Sequence, residues 1–248
     1  MSRVDGRVAS ALRPVKFSRN YLSHAEGSCL VTMGQTHVLC AASVEERVPV
    51  FLKGKGQGWV TAEYSMLPRS TTERIARDHY RAGRALEISR LIGRSLRAVT
   101  NLSAFGERTI TLDCDVIEAD GGTRTAAING AFVALHDALF SIANRGGLVG
   151  PPFKDQVVAV SVGKVAGDIL LDLCYLEDST AEADMNVVMT GAGNFVELQG
   201  TAEQGTFSRQ ELSKLLGAAE RGLKRIVRAQ RKALGDTGLF AVRGTSRA

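Results

Sequence analysis

The chain has 248 residues, 44% of them hydrophobic and 23% charged, with a formal net charge of +5. That is enough for one compact domain or two small halves packed together, with an ordinary soluble composition and a modest bias toward anionic partners. No apolar run reads as a membrane span, no apolar signal core follows the N-terminal arginines, and four scattered cysteines lack zinc spacing.

Residues 1–15 carry Arg3, Arg7 and Arg13 ahead of Pro14 and read as a mobile basic arm. Two β-rich runs follow in 28–43, split by Gly34-Gln35, the length and leading glycine of a two-residue hairpin turn. Cys29 and Cys40 then face across that hairpin. A disulfide there and two buried free thiols both fit, and the lack of an export signal favours the thiols. His24 and His37 have no second ligand at metal spacing.

The glycine-rich, basic stretch from Phe51 to Trp59 is not a P-loop, because no Gly-Lys-Ser/Thr follows. It leads into a strand at 59–64. Residues 68–84 form a long polar segment with Arg69, Arg74, Arg77, Arg81 and Arg84, and with His79 and Tyr80 among them. Such a segment suits RNA backbone contact and base stacking, or is simply a solvated loop. A helix over 85–99 has an apolar stripe of Ala85, Ile88, Leu91, Ile92, Leu96 and Val99. Arg94 and Arg97 read as its solvated face, and Arg84 stands at its entrance.

The centre of the chain is a strand over 109–117, a Gly121-Gly122 break and a helix over 125–143 that is apolar nearly all round, hence buried. Glycine lets backbone N–H groups approach a ligand closely, and the helix start leaves N–H groups unpaired with a partial positive charge. With Arg124 at the same end, this is either a phosphate site or an ordinary Gly-Gly turn beside a solvated arginine.

Gly146-Gly147 and Pro151-Pro152 mark a break near 146–156. The second half repeats the order of the first: strands at 157–162 and 169–173, then at 185–190 and 194–198. A final helix opens on the capping box Ser208-Arg209-Gln210-Glu211. Hairpins followed by long helices, twice, imply an α+β protein with helices packed on largely antiparallel sheets, a single domain over 1–235, with 236–248 a flexible tail. Between two of the later strands lie Glu177, Asp178, Glu182 and Asp184. Glu177 and Glu182 read as acidic surface. Asp178 and Asp184 leave and enter adjacent strands, so they can converge to hold a divalent cation or to raise one pKa enough for a general acid. An anion site opposite such a pair is the equipment of phosphoryl transfer.

Several words in the chain are more specific than any one pattern. They are Arg19-Asn20-Tyr21 with His24-Ala25-Glu26-Gly27-Ser28, Thr61-Ala62-Glu63-Tyr64, Met66-Leu67-Pro68-Arg69-Ser70-Thr71 and Gly83-Arg84. With them stand Asp120-Gly121-Gly122-Thr123-Arg124-Thr125, Glu177-Asp178, Asp184-Met185-Asn186-Val187-Val188-Met189-Thr190 and Gln199-Gly200-Thr201-Ala202-Glu203. On these the chain resembles, over residues 13–234, the ribonuclease PH family of phosphorolytic 3′-to-5′ exoribonucleases. The resemblance implies a duplicated β-α-β-α fold with mixed and antiparallel sheets, and trimming of tRNA precursors. The family's phosphate site falls on Arg84, Gly122, Thr123 and Arg124, its acidic pair on Asp178 and Asp184, and its RNA-contacting loop arginines on Arg69, Arg74 and Arg77. It further implies Mg²⁺ at the aspartates, inorganic phosphate as co-substrate, nucleoside diphosphate as product, a homohexamer built as a trimer of dimers, and a cytoplasmic location. The rival expectations are a catalytically inactive RNA-binding ring subunit of exosome type and a nucleotide-binding enzyme unconnected with RNA.

Overall fold

A computed structural model describes residues 3–77 and 83–240. His79, Tyr80 and Arg81 of the arginine-rich segment lie outside the described residues, as do 241–248.

Strands β1 (Val15–Arg19), β2 (Gly27–Met33), β3 (Thr36–Glu45), β4 (Trp59–Met66) and β5 (Thr109–Glu118) form one sheet in the order β1-β2-β3-β5-β4. All pairs are antiparallel except β4–β5. The parallel pair needs a crossover, and helix α1 (Gly83–Val99) supplies it. Strands β6 (Val157–Val165), β7 (Asp168–Leu171), β8 (Ala183–Thr190) and β9 (Phe195–Ala202) make a second, antiparallel sheet, β7-β6-β8-β9. The four-residue α3 (Tyr175–Asp178) joins β7 to β8, and α4 (Arg209–Leu234) closes the fold. The α+β reading with mixed and antiparallel sheets therefore holds.

Helix α2 (Thr123–Asn144) packs on β2 and β3 of the first sheet and on β6 of the second. That is why its sequence is apolar on every side. At 22 residues it is long and apolar enough to cross a membrane by composition, contrary to the sequence expectation, but it is the buried core helix here. A Cβ on Gly130 would lie 2.5 Å from Val31 Cγ1 and 2.8 Å from Cys40 Sγ, so only glycine lets helix and sheet come this close. The buried amide of Asn129 donates to Ala159 O and accepts from Ala159 N, both at 2.8 Å, stitching α2 to β6. Helix α4 starts on the anticipated capping box: Ser208 Oγ accepts from Glu211 N at 3.2 Å, and Glu211 Oε2 accepts from Ser208 N at 2.7 Å.

Cys29 and Cys40 are register partners in the β2–β3 hairpin, yet all four cysteines are buried free thiols. Burial pushes the Cys29 thiol up to about 12, so it stays protonated.

Four expectations are corrected. The N-terminal segment is docked, not a mobile arm: Arg3 and Arg13 are buried, and Leu171 N donates to Ala9 O at 2.8 Å. Glu177 is not acidic surface. It is buried and takes a bidentate hydrogen bond from Arg3, Nε–Oε1 2.7 Å and Nη2–Oε2 2.6 Å. Arg97 is not solvated; its guanidinium lies 4.4 Å from the Trp59 ring centroid and donates to Val60 O at 2.8 Å. Arg94, the other member of that face, is paired with Glu197 at 2.7 Å in an exposed bridge. The start of the expected flexible tail is packed as well. Leu239 is buried, and Phe240 lies against Phe132, Phe153 and His136.

Candidate active site

The end of β5 runs through Asp120 into Gly121 and Gly122, at φ 73° and 64°, before α2 begins at Thr123. Only glycine adopts this left-handed backbone at no steric cost. The turn is held tightly against the second half: a Cβ on Gly121 would lie 2.7 Å from Leu173 O and 2.9 Å from Tyr175 N. Asp120 Oδ1 accepts from Tyr175 N at 3.0 Å. The start of α3 is thereby fixed to the start of α2.

The consequence is a shared cleft of about 720 Å³, lined from the first half by Arg84, Gly121, Gly122, Thr123 and Arg124 and from the second by Asp178, Asp184 and Glu203. Arg84, expected at the entrance of α1, is in its first turn and exposed to the cleft. Thr123 Oγ1 shares a 2.8 Å hydrogen bond with Tyr64 Oη on β4. Burial raises the Tyr64 phenol, while the Thr123 hydrogen bond and the charges of Arg84 and Arg124 pull it back only partly. Arg124 Nη1 donates to Gln199 Oε1 at 3.1 Å, and its guanidinium lies 3.7 Å from Glu87. Gln199 Nε2 in turn donates to Glu87 Oε1 at 2.9 Å. Side chains from β9 and α1 thus aim the arginine.

Asp178 ends α3 and Asp184 lies near the start of β8. Desolvation raises both carboxyls; Arg84 and Arg124 offset this at Asp178, whereas Asp178 and Glu203 add to it at Asp184. The anion side and the acid side of one cleft are therefore in contact electrostatically, as phosphoryl chemistry requires. Among the described residues no group of three or more His, Cys, Asp or Glu side chains gathers to hold a metal ion.

Six residues singled out from sequence meet here: Arg84, Gly122, Thr123, Arg124, Asp178 and Asp184. Arg69, Arg74 and Arg77 do not line the cleft. They are exposed on the loop after β4, whose Thr71 reaches the cleft and whose Ser70 O accepts from Ala119 N at 2.8 Å. Tyr64, Glu87, Gln199 and Glu203 were given no role from sequence. The signal for Gln199 and Glu203 lay in the Gln199-Gly200-Thr201-Ala202-Glu203 word, whose β9 residues place Gln199 against Arg124.

Residues 11–141 match the model of the 3′ exoribonuclease family, domain 1, and residues 155–222 that of domain 2. The chain is 55% identical over 240 residues to Ribonuclease PH of Bacillus subtilis, covering 95% of this chain and 98% of that one. It is 55% identical over 239 residues to Ribonuclease PH of Moorella thermoacetica, covering 95% and 96%. Among solved structures it is similar to rice (Oryza sativa) Rrp46, with a TM-score of 0.77 at 22% identity over 94% of this chain and 100% of that one. The Archaeoglobus fulgidus exosome with RNA bound to the active site gives 0.74 at 21% identity, covering 91% of each chain.

Proposed function

The chain belongs to the 3′ exoribonuclease family, and we propose that it is a phosphorolytic 3′-to-5′ exoribonuclease that trims the 3′ ends of tRNA precursors. The observation that carries this is the shared cleft, with Arg84, Thr123, Arg124 and the N-terminus of α2 on one wall and Asp178 and Asp184 on the other.

Inorganic phosphate sits at the start of α2, where the first-turn N–H groups have no intrahelical partner and the helix dipole favours an anion. Arg84 and Arg124 add charge, and the Thr123 hydroxyl adds a donor. A phosphate oxygen attacks the phosphorus of the last phosphodiester, and the bond to the 3′ oxygen of the preceding nucleotide breaks. The nucleoside 5′-diphosphate leaves, and the shortened RNA keeps a 3′ hydroxyl once its oxygen takes a proton. Holding phosphate in line and offsetting the developing charge supplies most of the rate. We assign that proton to Asp178 and Asp184, whose carboxyls are raised by burial in the same cleft. One phosphodiester is exchanged for one diphosphate, so nucleoside diphosphate in excess extends RNA ends.

The two aspartates also suit Mg²⁺, a hard cation that takes one or two carboxylates and completes its octahedron with water and phosphate oxygens. Bound there, Mg²⁺ would neutralise charge on the phosphoryl oxygens. Arg69, Arg74 and Arg77 are assigned to the RNA beyond the cleft. We assign the working form to a cytoplasmic homohexamer, a trimer of dimers; the edge strand β4, with exposed Phe51 and Leu86 beside it, supports an assembly surface.

The test is release of labelled nucleoside diphosphate from tRNA carrying extra 3′ residues, with and without phosphate. Equal shortening without phosphate, giving monophosphates, replaces phosphorolysis with hydrolysis. The inactive ring-subunit reading expects Arg84, the Gly122-Thr123-Arg124 word or one aspartate to be missing, and the sequence carries all of them.

A further inference from the structure

We infer that Arg13 is a positioning residue for phosphate: its buried guanidinium orients the N–H groups of the Gly121–Gly122 turn and ties them to the segment that carries Asp178. The inference rests on the phosphate reading above.

Arg13 reaches both halves of the fold. Its Nε donates to Asp172 Oδ2 at 3.1 Å and its Nη2 to Asp172 Oδ1 at 2.7 Å. The same Nη2 donates to Gly121 O at 3.4 Å, and Nη1 donates to Asp120 O and, at 3.5 Å, to Thr36 Oγ1. The backbone N–H of Arg13 adds a 2.7 Å bond to Asp172 Oδ2. All three guanidinium nitrogens are engaged, and the side chain is 3% exposed against 0% for Asp172. A planar fork is the side chain that can serve two carbonyls and a carboxylate together.

The two carbonyls matter because a trans peptide points its N–H opposite its C=O. With Asp120 O and Gly121 O drawn to Arg13, the N–H groups of Gly121 and Gly122 are turned away from it, toward the cleft that both glycines line. The change of hand from left-handed Gly122 to the right-handed first turn of α2 lets successive N–H groups converge on an anion. Thr36 assists from β3: its Oγ1 donates to Gly121 O at 2.7 Å and accepts from Asp120 N at 3.0 Å. The fit is close, since a Cβ on Gly122 would lie 3.0 Å from Arg13 Nη2.

On the other side, Asp172 is held at φ 57°, a left-handed conformation rare outside glycine. Such a residue persists only where its surroundings over-determine it. Here Arg13 grips the carboxylate, and Arg3 and Arg7 donate to Asp172 O at 2.9 and 3.0 Å. Two residues on, Cys174 caps α3, and α3 ends on Asp178. A displaced guanidinium therefore shifts the phosphate donors and loosens their link to the acid side at once.

The test compares wild type with Arg13→Lys, Arg13→Met and Thr36→Val as full chains. Phosphate binding is measured by calorimetric titration, beside KM for phosphate and KM for tRNA in nucleoside diphosphate release. Misdirecting one hydrogen-bond donor to the charged phosphate predicts a roughly tenfold to hundredfold loss of phosphate affinity. Phosphate KM should rise with it and RNA KM stay unchanged. Lysine should not rescue, because it keeps the charge and loses the fork. Should the methionine variant fail to fold, Arg13→Lys and Thr36→Val carry the test. Folded variants of lower melting temperature but wild-type phosphate affinity would overturn the inference, leaving Arg13 a structural tie only. A wild type that shortens RNA without phosphate overturns the phosphorolytic reading instead, and the inference with it.

Discussion

Tyr64 and Thr123 hold their hydroxyls 2.8 Å apart, one on the edge strand β4 and the other on the first residue of α2. Because burial keeps the phenol protonated, Tyr64 can donate to Thr123 and leave the threonine proton free for a phosphate oxygen. Tyr64→Phe should raise KM for phosphate roughly fivefold, the value of a hydrogen bond worth about 1 kcal/mol. An unchanged phosphate KM in steady-state nucleoside diphosphate release would remove the pair from the site.

Arg124 is aimed by Gln199 and by Glu87, the latter at 3.7 Å, and its side chain is still 20% exposed in the cleft. Arg124→Ala should cost roughly 10²–10³ in rate, as loss of a transition-state donor does. The melting temperature should hardly move. Gln199→Leu should give a smaller loss, because the arginine stays but is less well directed. A fully active Arg124→Ala enzyme would place the phosphate elsewhere.

Asp178 and Asp184 supply a pH signature. Their folded pKa values are raised above an unfolded value near 3.9. Such groups stabilise the fold while protonated, fully below the unfolded pKa, and that contribution is lost as pH rises through the raised folded values. At neutral pH the charged pair therefore opposes folding. Asp184→Asn should melt at higher temperature than wild type at pH 7 and lose activity, with the stability gap closing toward pH 4. Thermal scans that show wild type the more stable at pH 7 would mean the site holds the two charges comfortably.

Much of this was legible beforehand, for reasons that differ by element. Helix α2 announces itself as a long run apolar on every side after a glycine break, and the β2–β3 hairpin through two β-rich runs around a Gly-Gln turn. The cleft is legible because its glycines, Thr123 and Arg124 are contiguous. Arg3, Arg13, Glu177 and Asp172 were not, since the two pairs find each other 174 and 159 residues apart. Three N-terminal arginines look like a solvated arm until the structure supplies buried carboxylates. Arg97 failed the same way, its partner Trp59 lying on the strand beneath α1.

The Arg3–Glu177 pair makes a stability prediction of its own. Both side chains are nearly inaccessible, at 1% and 4%. Burial pushes Glu177 up, but Arg3 and the Cys174 N–H outweigh it and hold its carboxyl below the usual range. Glu177→Ala strands a buried guanidinium, which costs about 3–5 kcal/mol. Denaturant unfolding should show that loss, and Arg3→Met in the same chain should recover part of it. A single variant as stable as wild type would mean that the carbonyls of Leu171 and Asp172 satisfy Arg3 unaided.

The last prediction separates RNA from phosphate. Arg69, Arg74 and Arg77 are exposed and outside the cleft lining, so they do not touch phosphate held at α2. Each that contacts an RNA phosphate releases counterions on binding, and log K then falls against log salt by about 0.7–0.9 per contact. Replacing all three with alanine should flatten the salt slope for tRNA binding by about 2 and raise RNA KM, with phosphate KM unaltered. Filter binding across a salt series measures the slope directly. An unchanged slope would take these arginines off the RNA path, and a changed phosphate KM would mean the loop closes on the cleft itself.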